Sequence, residues 1–300
     1  MSQRFSPDFK IAAHPQLADY MAGKQVFPIL VEVSLTGKCS ANCPWCFYRD
    51  YKDRMELGIN IIARAMEDLK AVGTKAINWT GGGEPTLHSQ FPGIAKRCAQ
   101  VGLKQGLFTN ALVEIKYDPS LFEWIRVSKT NMPWNVANIK KLRERCKTVG
   151  MCINYSGNDE EVKDALVIAH DIGVDYVQTR PALNLYGSKT TIVPPKIEDP
   201  ILVNTEYKFL EAGKERGYSL CEGYHFVPFI WHDGCVVACG YRSMDGRFLL
   251  GNLKDGSIVS ILANAPKSLP VVKECQICCK NHEINRLIDK LHDLKDIDFI

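Results

Sequence analysis

The sequence predicts an α/β fold: about six parallel strand–helix units followed by a small cysteine-rich annex. Three observations lead there. From residue 27 to residue 179, short β-branched apolar runs alternate with stretches whose apolar residues recur at helical spacing, the pattern of parallel strands joined by right-handed crossovers. Beyond Pro194-Pro195 that alternation stops. The 12 cysteines also concentrate in two places, directly after the first apolar run and in the last third of the chain.

Taken in order, residues 1–26 read as a lead-in with a short helix near residues 15–22, an arm packing over one end of the fold. Residues 27–34 are of strand length, with Pro28 tolerable at the start, and they run into Cys39-Ser-Ala-Asn-Cys43-Pro-Trp-Cys46. Residues 59–72 carry Ile62, Ala65, Met66 and Leu69 at helical spacing and stop at Gly73. A strand over 75–80 delivers the chain to Gly81-Gly82-Gly83-Glu84-Pro85. Then follow a helix over 91–101, strands over 103–109 and 124–128, a helix over 136–148, a strand over 151–155, a helix over 160–172 and a strand over 176–179. A helix over about 199–216 leads to the annex, residues 217–285, and a helical tail over 286–300 closes the chain.

Composition narrows the function. With 300 residues and 46% hydrophobic content the chain can bury one substantial core and a small annex. A net charge of +3 with no dense basic run argues against a nucleic-acid groove, so a small, weakly charged substrate is the default. No stretch reaches the roughly 18–20 apolar residues of a membrane span, and residues 1–23 lack the apolar centre of a signal peptide. A cytoplasmic protein is expected, whose cysteines serve metal rather than disulfides. Cys98, Cys146 and Cys152 sit singly in regular elements and read as small buried residues.

Three thiols within eight residues, Cys39, Cys43 and Cys46, are one ligand short of an ordinary four-thiolate cluster or a closed zinc site. Buried or zinc-binding cysteines are the plain alternative. The Cys-x3-Cys-x2-Cys spacing, with Trp45 before the last thiol and Gly82-Gly83-Glu84-Pro85 downstream, resembles the radical S-adenosylmethionine (SAM) enzymes. The resemblance implies a partial (β/α)6 TIM-like barrel over residues 27–198, with the three cysteines holding a [4Fe-4S] cluster and SAM chelating its fourth iron. It further implies that Gly82, Gly83, Glu84 and Pro85 line the methionine ammonium of SAM. Asn110 and Ser128, at the ends of later strands, are further SAM candidates by the same resemblance; Arg180, at the end of the sixth strand, is a candidate partner for a carboxylate of SAM or of substrate, or for a neighbouring side chain. Two departures stand out: Ala111 replaces a glycine usual after Thr-Asn, and Lys129-Thr130 follows Ser128 where relatives carry an acidic residue.

The annex places Cys221, Gly234, Cys239, Cys275 and Cys278 at spacings that resemble the Twitch and SPASM extensions of this family. No later thiol series exists for a second auxiliary cluster, so the resemblance is to Twitch, with one auxiliary [4Fe-4S] cluster held by Cys221, Cys239, Cys275 and Cys278; a structural zinc site is the alternative. Cys279 is then a bystander. Cys235 is a candidate hydrogen donor to a substrate radical, against the plainer reading of a small buried residue.

The resemblance implies reductive cleavage of SAM to a 5′-deoxyadenosyl radical that abstracts hydrogen from a substrate C–H bond, with an electron donor such as flavodoxin or ferredoxin. Oxidation of a small molecule such as a sugar or aminocyclitol is the first expectation. A radical epimerase using Cys235, or a peptide-modifying enzyme, is the alternative, and a non-enzymatic iron-sulfur or zinc protein is the alternative of a different class. Tyr48, Arg49, Trp79, Arg180, Tyr186, His225, Trp231 and His232 are candidates to line the substrate pocket.

Overall fold

The computed structural model describes residues 7–49, 53–182, 192–275 and 280–295. Helices α1 (Pro7–Ala12) and α2 (Pro15–Met21) form the lead-in. Strands β1 (Leu30–Ser34), β2 (Ala76–Thr80), β3 (Lys104–Thr109), β4 (Trp124–Ser128), β5 (Val149–Tyr155) and β6 (Tyr176–Pro181) pair in parallel in that order. Helices α3 (Ile59–Ala71), α4 (Phe91–Val101), α5 (Val136–Arg145) and α6 (Asp159–Ile172) supply crossovers. These elements coincide with those the sequence predicts, apart from α5, which ends early so that Cys146 turns extended and β5 begins at Val149.

The strands obey a simple parity. Val31, Val33, Ile77, Trp79, Leu107, Ile125, Val127, Met151, Ile153 and Val177 are buried in the main apolar core with the inward stripes of the helices. Alternate residues of a strand face opposite sides, so Glu32, Phe108, Arg126, Ser128, Asn154 and Arg180 face the concave side, where they line one cavity. The same curved sheet is therefore oily outside and polar within.

Two expectations need correction. The stretch over 199–216 is not one helix: it contains a seventh parallel strand, β7 (Leu202–Asn204), paired with β6, and a short helix, α7 (Glu206–Glu211). Buried Val203 and the free edge of β6 decide this, since tertiary pairing overrides local helical propensity. The annex is also not set apart from the sheet. Of its strands β8 (Leu220–Cys221), β9 (Phe229–Ile230), β10 (Cys235–Val237), β11 (Leu249–Asn252) and β12 (Leu269–Pro270), β9 pairs in parallel with β1, and β10 and β11 continue antiparallel. The result is a ten-stranded sheet in the order β11-β10-β9-β1-β2-β3-β4-β5-β6-β7, open between its two edges, while β8 and β12 form a separate pair.

Helix α8 (Ile258–Ala263) packs beside β11, and α9 (Lys280–His292) begins before the tail boundary at 286. Ile284 and Ile288 of α9 join Ile11, Leu17, Tyr20, Val26 and Phe226 in a second apolar cluster. The lead-in thus packs on the last helix rather than across a barrel end. No described helix is long and apolar enough to cross a membrane. Ile288→Ala, which empties a fully buried site in this cluster, should cost about 2–4 kcal/mol of apparent unfolding free energy; Leu294→Ala on the exposed surface should change it by less than about 0.5 kcal/mol. Urea denaturation of both variants measures the difference, and equal effects contradict the clamp.

Candidate active site

The cysteine loop leaves β1 and the glycine loop leaves β2, its parallel neighbour, so both open at the C-terminal edge of the sheet, where α/β barrels place their chemistry. Their backbones are joined. Gly83 N–H donates to Thr36 O at 2.8 Å and Glu84 N–H to Lys38 O at 2.7 Å. A Cβ on Gly83 would stand 2.0 Å from the Lys38 carbonyl oxygen, so that position demands glycine for close loop approach. Gly82 N–H donates to Ser34 Oγ at 3.1 Å. Ser34 Oγ lies 3.2 Å from His232 Nδ1, and His232 Nε2 lies 3.1 Å from Asp53 Oδ2. A Ser-His-Asp chain, buried at Ser34 and His232 and reaching the surface at Asp53, therefore fixes the first turn of the glycine loop from beneath.

Glu84 ties the glycine loop to the end of β3. Its Oε1 accepts from Thr109 Oγ1 at 2.7 Å and Thr86 Oγ1 at 2.8 Å, and its Oε2 accepts from Asn110 N–H at 2.6 Å. Burial pushes this carboxyl above the usual carboxylate range, against the pull of those donors toward the anion. Asn110 Nδ2 in turn donates to Ser40 Oγ at 3.1 Å and stands 3.9 Å from Cys39 Sγ. Ala111, which follows, is the one described residue other than glycine at positive φ, +52°. The backbone here keeps the left-handed turn that suits glycine.

These loops surround a cavity of about 330 Å³. Cys39, Cys43 and Cys46 all line it, as do Gly82, Gly83, Glu84, Pro85, Asn110, Ser128 and Arg180. Each thiol is partly exposed. Among the described residues no three His, Cys, Asp or Glu groups converge as ligands of one ion. Thiols that each take a different corner of a cube-shaped cluster do not need to meet at a point, so three soft donors on one cavity wall fit such a group better than zinc. Tyr48 also lines the cavity, its hydroxyl donating to Gly240 O at 2.9 Å. Trp79 instead lies in the outer core and donates to Gln105 Oε1. Trp231 and His232 pack under the glycine loop, His225 bonds Lys267 O, Arg49 is not part of the wall, and Tyr186 lies outside the described residues.

The remaining wall contains residues that sequence reasoning passes over: Glu32, Phe108, Arg126, Lys208, Tyr241 and Lys280. Strand parity could have flagged Glu32 and Arg126, since a charge inside an apolar strand must face a polar space. Lys280, far away in sequence, pairs with Glu32 and lies 5.4 Å from the Phe108 ring centre.

A second, smaller cavity lies in the annex, and Cys221, Cys239 and Cys275 are all on its wall; Cys278, the fourth expected ligand, and Cys279 lie outside the described residues. Asn285 Nδ2 donates to Cys221 Sγ at 3.3 Å. Cys239, Tyr241 and Asn281 line both cavities and so form the partition between them. Cys235 is on neither wall. Its thiol accepts from Asn252 Nδ2 at 3.3 Å and packs by Phe229 and Trp231, and burial raises its pKa. The side chain expected to give hydrogen to a radical is thus not on the cavity wall: Cys235 opens β10 beside Asn252, whereas Cys239 lies beyond the end of that strand, where the chain has turned toward both cavities.

The family model of the Radical SAM superfamily matches residues 33–183. The PqqA peptide cyclase of Methylobacterium nodulans is 23% identical over 215 residues, 63% of this chain and 55% of that protein. The chain thus spans about half the length of the curated relatives it matches. Among solved structures, Streptococcus suis SuiB bound to precursor peptide SuiA aligns with a TM-score of 0.63 at 15% identity, over 80% of this chain and 66% of that one. BtrN in complex with AdoMet and 2-DOIA aligns with a TM-score of 0.50 at 15% identity, over 79% and 83% of the two chains. At such identities the likeness is one of fold.

Glu84→Gln turns one acceptor oxygen into a donor facing other buried donors and should cost about 1–3 kcal/mol in apparent unfolding free energy. Glu114→Gln at the exposed surface should cost less than about 0.5 kcal/mol. Thermal unfolding of the two variants provides the comparison, and an undisturbed Glu84→Gln protein contradicts the tie between the loops.

Proposed function

Because the chain belongs to the radical SAM superfamily, we propose that this cavity holds SAM and a [4Fe-4S] cluster and that the protein oxidises a small molecule by removing hydrogen from a C–H bond. When bound, the cluster supplies the electron that cleaves SAM to methionine and a 5′-deoxyadenosyl radical, and an auxiliary cluster supplies an acceptor for the second electron of the oxidation.

In this reading Cys39, Cys43 and Cys46 hold the first cluster and leave one iron for SAM. Gly82, Gly83 and Pro85 form the wall for its methionine end, and Asn110 and Ser128 flank it. Glu84, fully occupied by donors from β3 and its loop, shapes that wall. Cys221, Cys239 and Cys275, together with Cys278, hold the auxiliary cluster. The single observation behind oxidation is the shared partition: Cys239 belongs to the thiol set of the annex and also lines the substrate cavity. The chemistry and its electron acceptor then lie on either side of one residue. Residues 27–198 act as the SAM unit and 217–285 as the auxiliary unit, with a flavodoxin or ferredoxin as electron donor.

A peptide side chain is the second reading of the substrate, favoured by the relatives that name peptides, the PqqA peptide cyclase and SuiB with its precursor peptide. Epimerisation through Cys235 is supported less, since that thiol is not on the cavity wall.

Anaerobic reconstitution followed by reduction in the presence of SAM tests the proposal. The wild type should release 5′-deoxyadenosine, Cys43→Ala should lose that product by at least about a hundredfold, and Cys275→Ala should keep uncoupled cleavage while losing substrate turnover. Absence of 5′-deoxyadenosine from reconstituted wild type rejects the enzyme reading. A product that has lost two hydrogens supports oxidation, whereas deuterium from solvent retained at carbon supports epimerisation.

A further inference from the structure

The cavity is strongly biased in charge. Its described wall carries Arg126, Lys129, Arg180, Lys208 and Lys280 against the carboxylates Glu32 and Glu84. Some of these cations are matched. Lys280 pairs with Glu32, and Lys129 reaches Glu161 at 3.9 Å. The two arginines are bonded differently. Arg126 Nη1 donates to Gln178 Oε1, and Arg180 Nε donates to Asn154 Oδ1 at 2.7 Å. Both acceptors are neutral amides. Arg126 Nε is buried with no acceptor among the described residues.

Both arginines are half-buried, and withdrawing a guanidinium from water onto neutral partners is costly, because desolvation is repaid in full only by an opposite charge with good geometry. An orphaned buried donor adds to the cost. Neither expense serves the fold, whose apolar core is on the other face of the strands. In register across β5, Gly150 stands beside Arg126 and Cys152 beside Gln178; the place of a Gly150 side chain is taken by the Tyr176 ring, 2.1 Å from where a Cβ would stand. Arg126 reaches across β5 to Gln178 on β6, the strand that carries Arg180. Gln178 is held in place by its own amide nitrogen, Nε2, which donates to Thr205 Oγ1 at 2.6 Å. The Phe108 ring lies 4.3 Å from the Arg126 guanidinium carbon, a flat cation–π platform that fixes the plane of the fork.

We propose that Arg126 and Arg180 form a seat for a carboxylate of the substrate, so that the molecule oxidised in this cavity is an acid held by its anionic end. This rests on the reading of the cavity as the substrate site. Two planar forks match a planar two-oxygen anion, one oxygen to each guanidinium. SAM carries a carboxylate of its own, and the test must separate the two sources. The position of the arginines favours the substrate: Arg126 lies two residues before the end of β4, deeper in the sheet than the loops that bear the three thiols.

The test uses the reconstituted holoenzyme at fixed ionic strength, with glutarate as the probe and its neutral isostere glutaramide as the control. With SAM saturating, glutarate should bind at least about tenfold more tightly than glutaramide, the scale of a charge-assisted contact. Arg126→Gln and Arg180→Gln should each lose that preference, and Arg126→Gln should keep SAM affinity within about threefold. Equal binding of glutarate and glutaramide to the wild type overturns the proposal without recourse to any variant. So does competition between SAM and glutarate, or loss of SAM affinity in the variants with the glutarate preference kept, since either assigns the guanidiniums to SAM. A wild type that makes no 5′-deoxyadenosine yet prefers glutarate supports the seat and rejects only the radical reading on which it was placed.

Discussion

The contact on which the rest of the site depends is the pair of backbone hydrogen bonds between the glycine loop and the start of the cysteine loop, Gly83 to Thr36 and Glu84 to Lys38. It makes two loops from adjacent strands into one surface. Only a residue without Cβ fits at 83, given the 2.0 Å approach to the Lys38 carbonyl oxygen, so the glycine serves loop closure before any ligand is considered. Around this seam the supports are polar: buried Ser34 and His232 beneath it, with Asp53 at the surface end of that chain, and buried Glu84 and Asn110 beside it. A hydrogen-bonded network of this kind stiffens the loops that it joins.

The seam also connects the two parts of the chain. His232 comes from the annex yet fixes a loop of the first unit, and β9 extends the sheet from β1. Lys280, at the start of the last helix, closes on Glu32 inside the sheet. The annex therefore completes the wall of the cavity as well as carrying its own thiols. Cys239, Tyr241 and Asn281 mark where one cavity gives way to the other.

Much of this was legible in the sequence, for identifiable reasons. Six strands declare themselves because their outward residues are β-branched or aromatic and enter one core, and the helices between them carry clear apolar stripes. The triplet Cys39, Cys43 and Cys46 and the loop from Gly82 to Pro85 were found by spacing, and they do meet on one wall. What escaped was long-range. Strand β7 is only Leu202–Asn204 and exists because β6 offers an edge, which no local pattern reveals. The partner of Glu32 lies 248 residues away in sequence, and Gly82 packs against Trp231 and His232 from the annex. Cys235 was singled out for its chemistry, but a thiol four residues from a cavity-lining Cys239 can still face elsewhere. Ala111 shows the converse: a departure from the usual glycine that the backbone absorbs at φ +52°.

Whether one iron beside the triplet is open to SAM is read most directly by electron paramagnetic resonance of the reduced, reconstituted protein in which Cys239 and Cys275 are replaced by alanine, so that the first cluster alone contributes. Addition of SAM should change the g-values of that signal, as expected when an amino group and a carboxylate join the fourth iron. A signal that SAM leaves unaltered contradicts an open iron at this site.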